Sequence, residues 1–381
     1  MAKLKVSDKF PLWLHPGGQW CKKHRGKNFY FGTDKEAAET RYRAEWDDIL
    51  QGRERKTPAG TLTVSDAANH FLIQKKTQVE SGELSGRTFA DYFATCEAVT
   101  AALGRDRAVT DLRPADFAKM RANVAKRLGP VSVLNFVTRV RVLFKFVYDF
   151  DYIPHPVKYG AGFDRPSKKT LRVARSSKGE KMIEAADLRK MLEVADVQLK
   201  AMMLLGLNGA LGSTDCSQLT RADLAKDPGW LDLARAKTGM GRRFPLWLET
   251  IEAIGVLHPK RPAAKDPAHT DLVFLTRLGQ PWTRFTSDGM GKRSVMDATT
   301  TAFTKLAGAC GVELKGGFYT LRHVFRTIAD EIGDRPAIDK IMGHADASMA
   351  DAYRERIGDD RLTKVTEHVR TWLLGRQKSK R

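Results

Sequence analysis

Between about residues 154 and 181 the chain gathers Pro154, Pro156 and Pro166, Gly160, Gly162 and a cluster of basic side chains, and its apolar residues follow no period. Proline fixes φ and removes a backbone donor, so this stretch reads as an exposed linker rather than as the interior of a helix or sheet. Helical periods lie on both sides of it. Before it, helical patterns run from about Val64 to Tyr152. The clearest spans Asn135 to Asp149, where Phe136, Val140, Leu143, Phe144 and Val147 form one apolar stripe and Arg139, Arg141 and Lys145 lie off it. After it, Leu188, Met191, Leu192, Ala195, Leu199, Met202 and Met203 share one helical register from about Ala185. A chain of 381 residues exceeds one ordinary core, so the break divides two helical domains.

The first 55 residues have a different texture. FPLWLHPGGQW and CKKHRGKNFYFGT are short apolar runs interrupted by Pro16-Gly17-Gly18 and Arg25-Gly26, which predicts two or three small strands. A helix from about Asp34 to Leu50 follows, with Ala37, Ala38, Tyr42, Trp46 and Ile49 near helical spacing. Lys22, Lys23, His24, Arg25 and Lys27 beside Tyr30 and Phe31 suit a DNA-binding sheet, the alternative being a small domain with a solvated basic loop. The expected fold class is mainly α with small β elements (α+β). Four segments are expected: a small basic sheet and helix at 1–58, a helical bundle at 59–155, a linker at 156–181 and an α-rich domain with a β-hairpin at 182–381.

Charge narrows the function. Lys and Arg number 65 against 45 Asp and Glu, a net charge of +20. That excess attracts polyanions over a wide surface. Cys21, Cys96, Cys216 and Cys310 lie far apart with no C-x-x-C pair, which argues against a zinc site or a disulfide framework and fits a reducing compartment. The sequence MAKLKVSDKF has no apolar h-region and no run reaches a membrane span, so a soluble intracellular protein is expected.

The residues with chemical content lie near the end. Leu321, Phe325, Ile328 and Ile332 are spaced for one face of a helix, and Arg322 and Arg326, four apart, point the same way beside it. Two guanidiniums one turn apart make a phosphate clamp, because the planar fork holds non-bridging oxygens bidentately and keeps its charge. Asp334-Arg335-Pro336 starts another helix that Gly343 ends, leaving His344 at its C-terminal edge, where it can donate to a phosphate oxygen or shuttle a proton. Tyr353 follows nine residues later. Upstream, Trp230 to Ala236 and Arg242 to Trp247 alternate like two strands joined by a turn carrying Lys237.

LRHVFR, the Gly343-His344 pair and Tyr353 nine residues on together resemble the tyrosine recombinase (phage integrase) pattern of L-R-H-x-F, L-G-H and tyrosine. The resemblance implies a C-shaped clamp of a helical core-binding domain and a catalytic domain, with an arm-type DNA-binding module ahead of them. It implies Tyr353 as nucleophile, Arg322 and His344 as stabilisers of the phosphorane, and Lys237 as general acid to the departing 5′ oxygen. It implies double-stranded attachment or recombination sites as partner and four protomers on two sites, with accessory DNA-bending proteins. No cofactor or metal is implied, and the location is cytoplasmic, on the nucleoid. Leu362, Val365, Val369, Trp372 and Leu373 in the tail fit docking on a neighbouring protomer or folding back on their own domain.

Two positions depart from the pattern. Leu204 to Leu219 resembles the family's first conserved box, yet Gly212 stands at the arginine position, three before Asp215. Tyr319 stands where many members carry the histidine of H-x-x-R. A lost charge clamp costs on the order of 3 kcal/mol, about a hundredfold in rate. Arg326 is the expected replacement. A type IB topoisomerase-like enzyme and a non-catalytic DNA-binding regulator on the same scaffold remain as alternatives.

Overall fold

The computed structural model describes residues 10–50, 61–235, 239–287, 293–344 and 355–375. The chain forms two compact units, one of residues 1–177 with 287–293 and one of residues 178–286 with 294–381. Its class is mainly α with small β elements.

The first unit opens with an antiparallel sheet in the order β1 (Trp13–Leu14), β2 (Trp20–His24), β3 (Lys27–Gly32). Arg25 and Gly26 both take positive φ, 45° and 80°, the conformation of a two-residue hairpin turn that matches strand twist. The helix α1 (Lys35–Leu50) closes the sheet, and Leu12, Phe31, Ala38 and Ile49 form the buried centre. Of the basic residues here, Lys22 turns inward: its Nζ donates to Tyr42 Oη at 2.7 Å and lies over the Trp46 ring. Lys23 and Arg25 stay exposed.

Four helices follow, α2 (Val64–Glu80), α3 (Gly86–Leu103), α4 (Pro114–Ala125) and α5 (Pro130–Asp149). Thr63 and Asp66 cap α2 reciprocally, and Pro114 and Pro130 open their helices at positions with no intrahelical donor to lose. Phe136, Val140, Leu143, Phe144 and Val147 all face the core. Asp111 ties the small sheet and its helix to this bundle, pairing with Arg41 at 3.0 Å and accepting from Gln19 through its carbonyl at 2.7 Å.

The stretch expected to be an exposed linker is more structured than that. Phe163 is fully buried against Phe117 and Tyr159, and a Cβ on Gly162 would sit 2.6 Å from Ala118 Cβ, so glycine lets the chain lie directly on α4. The helix α6 (Lys168–Ser176) then starts from a Ser167 cap. It buries no residue and spans only nine, so Leu171, Val173 and Ala174, opposite its basic side, are too few to mark a period.

The second unit is built around α8 (Val197–Gly209), buried on every side from Ala201 to Gly209. The single helical register expected from Ala185 is two helices, α7 (Ala185–Val194) and α8, because Asp196 leaves the helical backbone and caps Gln198 and Leu199. Then come α9 (Ser213–Gln218), α10 (Arg221–Ala225), the antiparallel hairpin β4 (Trp230–Ala234) and β5 (Gly241–Pro245), and α11 (Leu248–Leu257). A two-stranded sheet β6 (Thr283–Ser287) and β7 (Arg293–Asp297) precedes α12 (Ala298–Ala309), α13 (Thr320–Ala329), α14 (Arg335–Met342) and α15 (Asp359–Leu374). Ile332 falls beyond α13 in a 3-10 turn and is 37% exposed, so the inward face of α13 is made by Leu321, Phe325 and Ile328 without it. No helix among the described residues is long and apolar enough to cross a membrane.

The tail folds back on its own unit. Leu362, Val365, Val369 and Leu373 are fully buried, Trp247 Nε1 donates to the Thr366 carbonyl at 3.1 Å, and Arg370 pairs with Glu249 at 2.7 Å. Val369→Asp places an unpaired carboxylate in this contact and should lower the stability of the isolated monomer by about 3–5 kcal/mol in urea unfolding. A tail that docked only on a neighbour would leave monomer stability unchanged.

Candidate active site

Arg322 is the centre of the site. It lies on α13 and is 2% exposed. Its Nη1 donates to the Ala210 carbonyl at 2.6 Å, and its Nη2 donates to the Met342 carbonyl at 2.6 Å and meets His344 Nε2 at 2.8 Å. Both carbonyls belong to helix C-termini, where the last oxygens lack intrahelical donors and carry partial negative charge. The helix α8 ends as Ala210 turns to positive φ, 54°, and α14 ends on Gly343 at 61°. Two helix ends thus converge on one guanidinium. Burial, together with the nearby Arg235 and Arg242 charges, pushes the Arg322 pKa down to about 10, so it stays cationic at neutral pH.

His344 is fixed from its other side by Asp339, with Nδ1 3.3 Å from Oδ1. With Arg322 donating to Nε2, the consistent tautomer carries its proton on Nδ1 toward that carboxylate. Burial and the Arg322 charge pull the His344 pKa below its ordinary value, only partly opposed by Asp339. A neutral imidazole results, braced between a cation and an anion.

Arg326 does not join Arg322 at this centre. Its Nε donates to Asp330 Oδ2 at 2.9 Å and its Nη1 to Asp339 Oδ1 at 2.7 Å. Four residues apart on a short helix, the two side chains separate because the Ala210 and Met342 carbonyls draw one inward while two carboxylates hold the other near the surface. Arg326 therefore bears on the site through Asp339 and His344. Lys237 and Tyr353 lie outside the described residues.

Gly212 takes the N-cap of α9, and its N–H donates to Asp215 Oδ2 at 2.9 Å. The same oxygen accepts from Arg242 Nη2 at 3.0 Å. Arg242 is fully buried, and its Nε and Nη1 have no hydrogen-bond partner among the described residues. A Cβ on Gly343 would come within 2.9 Å of Arg242 Cγ and Nε, so the turn leading to His344 rests on this side chain. Tyr319, half exposed, borders the Gly212 position, where a Cβ would meet its ring at 3.7 Å. Arg242 and Asp339 were not among the expected site residues. Strand alternation points to the first, since Arg242 shares the inward face of β5 with buried Phe244. Asp339 lies one helical turn before Gly343, a spacing that many surface carboxylates share.

The model of the phage integrase family matches residues 175–357. Among solved structures, the chain is similar to a lambda integrase dimer bound to a COC′ core site, at 15% identity and a TM-score of 0.54, covering 93% of this chain and 97% of that one. A lambda integrase tetramer bound to a Holliday junction is similar at 15% identity and 0.54, covering 93% and 99%. The Tn1549 transposon integrase (residues 82–397) in complex with circular intermediate DNA is similar at 16% identity and 0.55, covering 79% and 98%. At these identities the structures establish the fold. No curated protein matches the chain.

A depressed histidine pKa predicts a pH dependence of stability. The folded chain resists protonation at His344 while the unfolded chain accepts a proton near pH 6.5. The contribution is therefore present above the unfolded pKa and lost as pH falls through and below it. The urea midpoint of the wild type should fall more between pH 7.5 and 5.5 than that of His344→Gln. Parallel curves for the two proteins would refute this.

Proposed function

We propose that the chain, whose residues 175–357 match the phage integrase family model, is a member of that family and a site-specific DNA recombinase that integrates or excises a mobile element. The observation that carries this reading is the buried Arg322 guanidinium held by two helix C-termini with His344 on its rim.

In the proposed reaction the Tyr353 oxygen attacks a DNA phosphorus. A P–O bond forms to tyrosine, the bond to the 5′ oxygen breaks, and Lys237 delivers the proton that the leaving oxygen takes up. A phenol of pKa near 10 is a weak nucleophile at neutral pH, so the cationic pocket serves to favour its phenolate and the charge that builds on the phosphorane. In this reading Arg322 would carry that role. His344, held between Arg322 and Asp339, would support it by donating to a phosphate oxygen or shuttling a proton once its contact with Arg322 gives way to substrate. The 3′-phosphotyrosyl link conserves the phosphodiester energy, so rejoining by a 5′-hydroxyl of another strand consumes no ATP.

The partner in this reading is double-stranded DNA carrying attachment sites, with four protomers on two sites, in the cytoplasm on the nucleoid. Residues 1–58 would act as an arm-type module, 59–155 as the core-binding bundle and 182–381 as the catalytic domain, joined through 156–181. The net charge of +20 supports the DNA partner. Gly212 favours a second reading, a DNA-binding regulator that has lost catalysis.

Covalent trapping separates the two. Incubated with a labelled pool of nicked duplexes of randomised sequence, the full chain should form a denaturation-resistant adduct whose phosphopeptide contains Tyr353. Tyr353→Phe should abolish the adduct, and Arg322→Ala should slow it on the order of a hundredfold or more. DNA retention without any adduct would favour the regulator.

A further inference from the structure

We propose that Arg242, on β5, supplies the second positive charge of the phosphate site that Gly212 leaves without its arginine. This rests on the reading of the site as a phosphoryl-transfer centre. The side chain is fully buried, yet only Nη2 is satisfied, by Asp215, and the donors on Nε and Nη1 are unpaired among the described residues. Leaving a buried, charged donor without a partner is costly, and such costs persist where a site uses them.

The position of Arg242 fits the role. Asp215, the residue it binds, also holds the backbone N–H of Gly212, so the guanidinium reaches the very turn from which the arginine is missing. On its other side it packs under Gly343, next to the Met342 carbonyl that receives Arg322 and to His344. Among the described residues, the carboxylate that bears on Arg322 is Asp215, against the Arg242 and part-buried Arg235 guanidiniums, an excess of positive charge that a phosphodiester or its phosphorane balances. In a dry interior a cation lying behind the contacting groups still lowers the energy of charge building in front of them. Arg242 is therefore a positioning and electrostatic residue: it holds the Gly212 turn and the Gly343 turn together and sets the potential in which Arg322 works.

The test uses the full chain and its Arg242→Met and Arg242→Lys variants. Asp215→Asn/Arg242→Met serves as a fourth protein that removes both charges at once, so that folding does not fail on an orphaned carboxylate. Orthovanadate, a small mimic of the phosphorane, is titrated by vanadium NMR line broadening. Single-turnover adduct formation on the nicked duplex and DNA retention are measured in parallel. Expected are a loss of about tenfold or more in vanadate affinity for Arg242→Met and the double variant. Adduct formation should slow on the order of a hundredfold with DNA retention within about twofold, and lysine should recover most of both losses. Unchanged vanadate affinity and rate in Arg242→Met would overturn the proposal, as would a lysine variant no better than methionine. If the wild type forms no adduct on any duplex while the vanadate pattern holds, the recombinase reading fails and the charge role of Arg242 stands.

Discussion

One guanidinium organises the second unit. Arg322 is removed from water and its charge is met by the carbonyl ends of α8 and α14, elements far apart in the chain. The arrangement depends on both helices stopping where they do, through Ala210 and Gly343 in the left-handed conformation. A continued turn of either helix would consume the carbonyl that Arg322 needs. The backbone terminations are therefore as much a part of the site as the side chains.

A second tier of charges lies around that centre. Asp339 gathers Arg326, Arg335 and His344, while Asp215 gathers Arg242 and the Gly212 amide. The hairpin that carries Arg242 is itself anchored by the tail helix: Arg243 pairs with Asp359 at 2.7 Å, and Trp247 binds the Thr366 carbonyl. The tail thus stabilises the strand that faces the site, which connects a packing element at the C-terminus to the electrostatics of the pocket.

How much of this was legible varies by residue for physical reasons. The stripe of α5 and the inward face of α13 follow from spacing alone, since burying a helix requires apolar side chains at its period. The helix α6 escaped that logic because it buries nothing. The joint between α7 and α8 escaped it too, since apolar residues remain in phase across Asp196 although the backbone does not. In the site, Arg322 and His344 were recognisable from their sequence neighbours and are adjacent in space. The four-residue step alone puts Arg326 in the same clamp, but step length fixes only where Cβ points, and the partners Asp330 and Asp339 decide where a long side chain ends.

The sequence by itself determined the helical class, the small β elements, the basic character and the motif residues, because these depend on local period, composition and order along the chain. Which distant charges bear on Arg322 was decided only by the tertiary structure. Arg242 lies 80 residues before Arg322 in the sequence, and no local pattern specifies that β5 will carry it to the Gly212 turn. That pairing arises from packing between distant segments, where a buried charge must find its partner and the chain's own periodicity gives no measure of which one it will be.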